Sequence, residues 1–364
     1  MSQCAPSTDI LLYCRAGFER ECALEVADRS ADCGVAGEGT ATVGSGFVLF
    51  AAADPKRADL LRRGLRFDEL AFARQLIFSA RLVEGLPATD RLGPLIAAAQ
   101  AGKLRFAQAF VEHADTEEGK RLSSFCRKFS AVFDAAAARE GLVAAQAQTR
   151  LHLFFPDAGR CYVGYSDAGN ASPWPLGIPR IKFPAGAPSR SALKLAEAIS
   201  TLLAPAEQTA RMCAGMRAVD LGAAPGGWSW CLAQRGIHVT AVDNGRLAKE
   251  VLATGFVEHL RSDGFHFRPK RAVDWMVCDM VEKPSRVAAL VAQWVSRRWC
   301  RHCIFNLKLP MKKRYEELQT CTALICSNLD SEGIAHRLRF KQLYHDRDEV
   351  TGYLHATEGP RRKR

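Results

Sequence analysis

Apolar and polar positions follow two styles along this chain, and the style changes near residue 190. Before that point, short apolar runs alternate with amphipathic stretches. Residues 10–14 read as a strand, 17–28 as a helix, 47–50 as a second strand and 72–78 as a third. Gly85-Leu86-Pro87 marks a break. A second α/β unit then follows, with a helix near 94–101, a strand near 104–112 and a long helix near 120–139. Strands 151–155 and 161–165, joined by Pro156-Asp157-Ala158-Gly159, read as a hairpin. The stretch 168–189 is rich in Gly, Pro, Ala and Ser and reads as a linker. Trp174, Ile178 and Phe183 inside it predict a packed strap in place of a free tether.

After 190 the pattern is that of a doubly wound sheet. Helix 191–203 carries Leu193, Ala196, Ile199 and Leu203 on one stripe. Strand 217–221 runs into a glycine-rich turn. Strands 238–242, 274–278 and 303–307 are short apolar runs that end at Asp243, Asp279 and Lys308. A helix at 315–329 precedes two alternating strands, 337–343 and 350–355, joined by residues 344–349. These predict a mostly parallel sheet closed by an antiparallel hairpin. The expected domains are therefore 1–84, 85–167, a linker 168–189, and 190–364.

Residues 219–228, Val-Asp-Leu-Gly-Ala-Ala-Pro-Gly-Gly-Trp, hold the most chemistry. Strand, glycine-rich turn and helix in that order make a nucleotide-cofactor loop. Glycines let backbone approach a ligand closely. The dinucleotide fingerprint G-x-G-x-x-G is absent, an acid leads the loop and a proline sits inside it, which counts against an NAD-dependent oxidoreductase. Asp243 follows Asp220 at a spacing that suits a ribose diol. Asp263 lies in a polar turn where a carboxylate can accept from an adenine amino group. Each of these aspartates alone is also what a turn or helix cap would use. Lys194, Asp279, Lys308 and Glu349 form a second set: one on a helix with an apolar face, three at strand ends.

With 364 residues, 48% of them hydrophobic and 24% charged, the chain has the composition of an ordinary globular protein with a sizeable core. No apolar run is long enough to span a membrane. Residues 1–6 lack the basic and apolar regions of a signal peptide, so a cytoplasmic location is expected. Thirteen scattered cysteines point to a reducing compartment; Cys278 reads as a buried thiol. Cys300-Arg301-His302-Cys303 has metal-ligand residue types without a matching second pair, and no metal is expected. The net charge of +11 sits almost entirely after 190: residues 1–189 carry 22 Lys and Arg against 21 Asp and Glu, residues 190–364 carry 28 against 18. A basic surface around a site favours a polyanion, nucleic acid first among them. The terminal Arg361-Arg362-Lys363-Arg364 reads as a solvated basic tail.

The segment 189–195, the loop at 220–228, and Lys194, Asp279, Lys308 and Glu349 resemble the Lys-Asp-Lys-Glu tetrad and cofactor loop of the FtsJ-type RNA ribose 2′-O-methyltransferases. The strings 275–284, 305–317 and 342–351, with the opening 13–19, are similar to the family of ribosomal large-subunit RNA methyltransferases M. That resemblance covers most of the chain and is strongest after residue 170. It implies a C-terminal Rossmann-like methyltransferase domain dependent on S-adenosylmethionine (SAM), preceded by a ferredoxin-like unit and a THUMP-like RNA-binding unit. It implies that Ser191, Gly222, Ala223, Ala224, Pro225, Gly226, Gly227, Trp228, Asp243, Asp263 and Asp279 hold SAM. Lys308, Lys194, Asp279 and Glu349 would be catalytic, with Lys308 as candidate proton acceptor. The implied substrate is the 2′-hydroxyl of one cytidine in the peptidyl-transferase region of 23S rRNA, presented as rRNA or as a large-subunit assembly intermediate to a monomeric enzyme. A non-catalytic RNA-binding or ribosome-assembly factor on the same fold is the alternative.

Overall fold

The computed structural model describes residues 8–357; residues 1–7 and the predicted basic tail lie outside them. The chain divides into two compact units, residues 1–178 and 179–364.

The first unit is built on one seven-stranded sheet in the order β2-β3-β1-β4-β7-β6-β5. Its strands are β1 (Thr8–Tyr13), β2 (Gly37–Ala41), β3 (Phe47–Ala52), β4 (Gln75–Val83), β5 (Gln108–His113), β6 (Thr149–Asp157) and β7 (Arg160–Asp167). β4 pairs with both β1 and β7, so strands on either side of Gly85 share the sheet. All pairings are antiparallel except β5 with β6. The helix Ser123–Arg139 buries Cys126, Phe133, Ala136 and Ala137 on the core that includes Leu151, Leu153 and Phe155. The predicted helix at 120–139 is interrupted: Glu117–Lys120 is a separate turn, capped by the Thr116 side chain on the Gly119 amide.

The strap after β7 is pinned. Asn170 donates to the Leu65 carbonyl at 2.8 Å and accepts from the Phe67 amide at 2.8 Å. The Ser172 amide donates to Gln75 Oε1 at 3.1 Å, and the Leu176 amide to Glu112 Oε1 at 2.5 Å. Ile178 is fully buried. Phe183, by contrast, is half exposed.

The second unit carries β8 (Arg217–Leu221), β9 (His238–Val242), β10 (Val257–Leu260), β11 (Val273–Cys278), β12 (Cys300–Lys308), β13 (His336–Lys341) and β14 (Glu349–Ala356). The order is β10-β9-β8-β11-β12-β14-β13. The first five are mutually parallel; β14 runs antiparallel between β12 and β13. This is the doubly wound sheet with a closing hairpin that the pattern predicts. Reversal of strand order at β8 leaves a crevice at the carboxyl ends of β8 and β11, where ligands bind in such sheets. The helix Ser191–Leu202 lays Leu195, Ala198, Ile199 and Leu202 on a core with Trp275, Ile304 and Tyr353.

Candidate active site

The loop after β8 is shaped by two glycines. Gly222 has φ +76° and lies so close to Met280 that a Cβ would collide with its side chain. Gly226 has φ +112°, and a Cβ there would come 2.7 Å from Val251 Cγ2. Any other residue would be strained and would push the loop off its neighbours. The helix Gly227–Ala233 starts directly afterwards.

A cleft of about 380 Å³ opens beside this loop. Gly222, Ala224, Asp243, Asp263 and Asp279 line it, with Asn244, Met280, Val281 and Glu282. Among the other predicted SAM contacts, Ala223 is buried with Trp230 and Val251. Trp228 is buried in the apolar core with Leu195 and Trp275. Ser191 lies behind the loop, where its hydroxyl meets Ser189 Oγ at 2.7 Å and packs against Gly227. Pro225 and Gly226 are outside the cleft lining; the Pro225 carbonyl accepts from the Ala248 amide at 2.9 Å.

The acids of the cleft already hold backbone. Asp243 accepts from the Ala224 amide at 3.0 Å and the Gly245 amide at 2.6 Å, which ties the end of β9 to the loop. The exposed Asp263 accepts from the Phe265 amide at 2.8 Å and faces His266 Nδ1 at 2.8 Å. These hydrogen bonds hold its carboxyl below the usual range. Asp220 lies beneath the loop, fully buried, with the Ser229 hydroxyl donating to it at 2.7 Å. Burial, with lesser repulsion from Asp279 and Asp243, pushes its pKa up to about 7, against the pull of Ser229.

Next to the cleft, four predicted charges meet. Lys308, the last residue of β12, contacts Asp279 Oδ1 at 2.6 Å and also pairs with Glu349 Oε2. Lys194 pairs with Glu349 Oε1 and lies 3.6 Å from Asp279 Oδ2. The register explains the meeting: Lys308 faces Glu349 across the β12–β14 ladder. Asp279 follows Cys278, which pairs with Phe305 on the same β12. The cluster is open on one side, with Lys308 23% and Asp279 17% exposed but Glu349 only 6%. Burial pulls the Lys308 ammonium down, but the carboxylates of Asp279 and Glu349 outweigh it, and the pKa is raised. Protonated Lys308 is thus the resting form in this geometry.

Four further residues support the cluster. Asn306 donates to Asp279 Oδ1 at 2.8 Å and accepts from the Thr351 hydroxyl at 2.7 Å. Thr351 also reaches Asp346 Oδ2 at 3.0 Å. Glu197, one turn beyond Lys194 on the same helix, accepts from the Tyr344 amide at 2.7 Å and the His345 amide at 3.0 Å. It thereby fixes the connection that leads to Glu349. A polar residue within an apolar strand or helix stripe is the signal that marks Asn306 and Glu197 in the sequence.

The Cys300–Cys303 segment is different in kind. The two sulfurs lie 3.3 Å apart, while His302 stacks on Trp275. Among the described residues no group of three or more His, Cys, Asp or Glu is arranged to hold a metal ion, and no helix is long and apolar enough to cross a membrane.

An open α/β sheet, a glycine loop at its switch point and a lysine–carboxylate cluster beside the cleft define a methyltransferase of the FtsJ-like class, whose family model matches residues 187–319. The models for the RlmM ferredoxin-like domain and for the N-terminal part of ribosomal RNA large subunit methyltransferase M match residues 7–77 and 90–167. Ribosomal RNA large subunit methyltransferase M of Methylococcus capsulatus is 50% identical over 96% of this chain and 98% of its own length. The protein of that name from Azoarcus sp. is 48% identical over 97% and 99%. The crystal structure of TrmN from Thermus thermophilus aligns with 96% of this chain and 99% of its own at 16% identity, with a TM-score of 0.36. The chain belongs to the ribosomal RNA large subunit methyltransferase M family. It is a methyltransferase of large-subunit ribosomal RNA, and as an FtsJ-like enzyme it depends on SAM.

Proposed function

We propose that this protein methylates the ribose 2′-hydroxyl of one cytidine in the peptidyl-transferase region of 23S rRNA. The observation that carries this reading is the open cluster of Lys194, Asp279, Lys308 and Glu349 beside the cleft. A hydroxyl is a weak nucleophile, so the site must align it and manage one proton. Two lysines interleaved with two carboxylates suit that task.

SAM supplies an electrophilic methyl on a sulfonium, and the cleft has the donors and acceptors to hold it. Asp243 would suit the ribose diol and Asp263 the adenine amino group, with the glycine loop at 222–227 beside them. Bound SAM would supply the methyl and keep the S–C bonding pair, and Lys308 in its neutral form would take the hydroxyl proton. Asp279 and Glu349 orient Lys308, and Lys194 balances their charge. Because the carboxylates favour the ammonium, the neutral form is scarce near neutral pH. Exclusion of water as RNA covers the cluster works in the opposite direction.

The N-terminal residues divide, on this reading, into a ferredoxin-like unit, 1–84, and a THUMP-like unit, 85–167, with 168–189 as linker to the methyltransferase domain. Being nearly neutral, the first two select RNA by shape. The basic 190–364 region supplies phosphate contacts. Transfer of tritiated methyl to 23S rRNA from cells lacking the protein, with mapping of the modified nucleotide, tests the assignment. Label on a base, or on a different nucleotide, would refute it. SAM binding without transfer to any RNA would favour the assembly-factor alternative.

A further inference from the structure

Val281 and Met311 are each 91% exposed. Large apolar side chains so fully in water are common singly, but these two sit at the ends of adjacent parallel strands that bracket the catalytic cluster. Val281 comes two residues after Asp279, and Met311 three after Lys308. The 2.6 Å contact between Lys308 and Asp279 joins the roots of the two loops. Val281 also lines the cleft that holds Asp243 and Asp263.

Neither loop is loose. Met280 is packed under Gly222 and Gly264, which anchors the backbone just before Val281. After it, Glu282 pairs with Arg286 on the next helical turn. The Met311 loop is held by the Leu309 amide, which donates to the Asp348 carbonyl at 2.7 Å, and by Arg314, 3.2 Å from the Asp348 carboxylate. Lys313 between them takes the left-handed conformation, φ +57°, rare for a residue with a side chain. Two fixed loops thus keep apolar tips in water at the rim of a reaction site.

The surroundings say what they meet. Met311 is followed by exposed Lys312 and Lys313, and Val281 is followed two residues on by exposed Lys283. An apolar tip among cations complements a partner with anionic links and apolar faces, which describes single-stranded RNA. Apolar side chains, Met among them, act as wedges between bases in nucleic-acid complexes.

We propose that Val281 and Met311 hold the base of the target nucleotide out of its stack, so that its ribose alone enters the cluster, while Lys312 and Lys313 fix the flanking phosphates. They are positioning residues, and the proposal rests on the reading of this site as an RNA ribose methyltransferase.

The test uses the full chain, SAM and 23S rRNA lacking the modification. Val281→Ser/Met311→Ser should lower kcat at saturating SAM about tenfold or more, with KM for RNA within threefold, because phosphates dominate RNA binding. Val281→Ile/Met311→Leu should restore kcat. Lys312→Ala/Lys313→Ala should show the reverse split, a raised KM with a shallower salt dependence. The proposal is overturned if the serine pair turns over like the parent, as it would were this rim a dock for an acidic protein. It is also overturned if the loss falls in KM alone, or if the Ile/Leu pair loses as much as the serine pair. Absence of transfer to ribose by the parent would instead overturn the functional reading, and this proposal with it.

Discussion

Each unit of this protein contains a cluster in which carboxylate and base meet, and the two clusters do opposite things. In the first unit Glu112 accepts from the Tyr13 hydroxyl at 2.7 Å and the Leu176 amide at 2.5 Å, and faces His152 Nδ1 at 2.8 Å. His152 Nε2 meets Ser166 Oγ at 2.8 Å. Glu112 is 2% exposed and His152 0%. Every polar atom is spent on protein, so the cluster has no side on which a substrate could bind. It ties the strap at 176 to strands β1, β5 and β6. In the second unit Lys194, Asp279, Lys308 and Glu349 are also mutually paired, yet Lys308 and Asp279 keep an open side next to a cleft. The two clusters differ in composition and, above all, in access. A closed polar network contributes order, whereas an open one can exchange an internal partner for a substrate atom.

The sharpest way to test that contrast is to remove one member from each. Lys308→Ala should abolish most methyl transfer, since general-base help alone is worth roughly 10²–10⁴ in rate. SAM affinity, which the proposed reading assigns to the loop and the acids of the cleft, should stay within a few-fold. Lys308→Arg should also fail, because a guanidinium cannot give up its proton. In the parent the rate should climb about tenfold per unit between pH 7 and 9, since the raised lysine must first lose a proton. A flat profile, or an active arginine variant, would leave Lys308 as an electrostatic positioner only.

Glu112→Ala should do the converse. It strands the Tyr13 hydroxyl, His152 and the Leu176 amide without their acceptor. Breaking a buried network of this sort costs about 3–5 kcal/mol, readable as a lower urea midpoint. SAM binding should be unaffected. Unchanged stability would mean that the closed cluster contributes nothing and that the contrast drawn from access is mistaken.

What was legible in the sequence follows the same line. Strands β8, β9, β11 and β12 were legible because buried parallel strands are short apolar runs, and each leads to a polar end that the fold must place at the sheet's carboxyl edge. Two edge strands were not: β2 and β10 alternate between half-buried and exposed positions and carry little apolar signal. The predicted strand at 104–112 is shorter in the structure, Gln108–His113, because Phe106 bridges instead to Val143. The four charges of the site could be named from strand ends and resemblance. Their supports were not named: Glu197 and Asn306 stand out only as polar residues in apolar stretches, and their partners at 344–345, 279 and 351 are far away in sequence, while Asp346 matters through Thr351.

A smaller effect separates the loop's anchors from its ligand contacts. Asp243→Ala removes the acceptor of the Ala224 and Gly245 amides as well as the carboxylate proposed for the ribose. Hydrogen bonds to charged groups are worth about 1.5–3 kcal/mol, so calorimetry should show SAM affinity weakened roughly 10- to 100-fold. Asp243→Asn, which keeps one acceptor, should lose less. Equal affinity in the alanine variant and the parent would remove Asp243 from the cofactor site.

The smallest effect concerns Asp220, a buried acid on the open side's foundation. Its pKa in the fold is about 7, against an ordinary carboxylate near 3.8. The folded protein therefore holds this proton more tightly than the unfolded chain. The favourable contribution is complete below the unfolded value and is lost as pH rises through about 7. Asp220→Asn keeps an acceptor for Ser229 and never ionises. The difference in melting temperature, variant minus parent, should thus grow between pH 5 and pH 8 and level off above. Taking only the difference cancels the titration of every other group. Relaxation around a buried charge should hold the effect to a few degrees. A difference that does not change with pH would show that Asp220 is ionised in the fold at no cost. The loop acid would then be solvated or paired in a way the buried Ser229 contact does not provide.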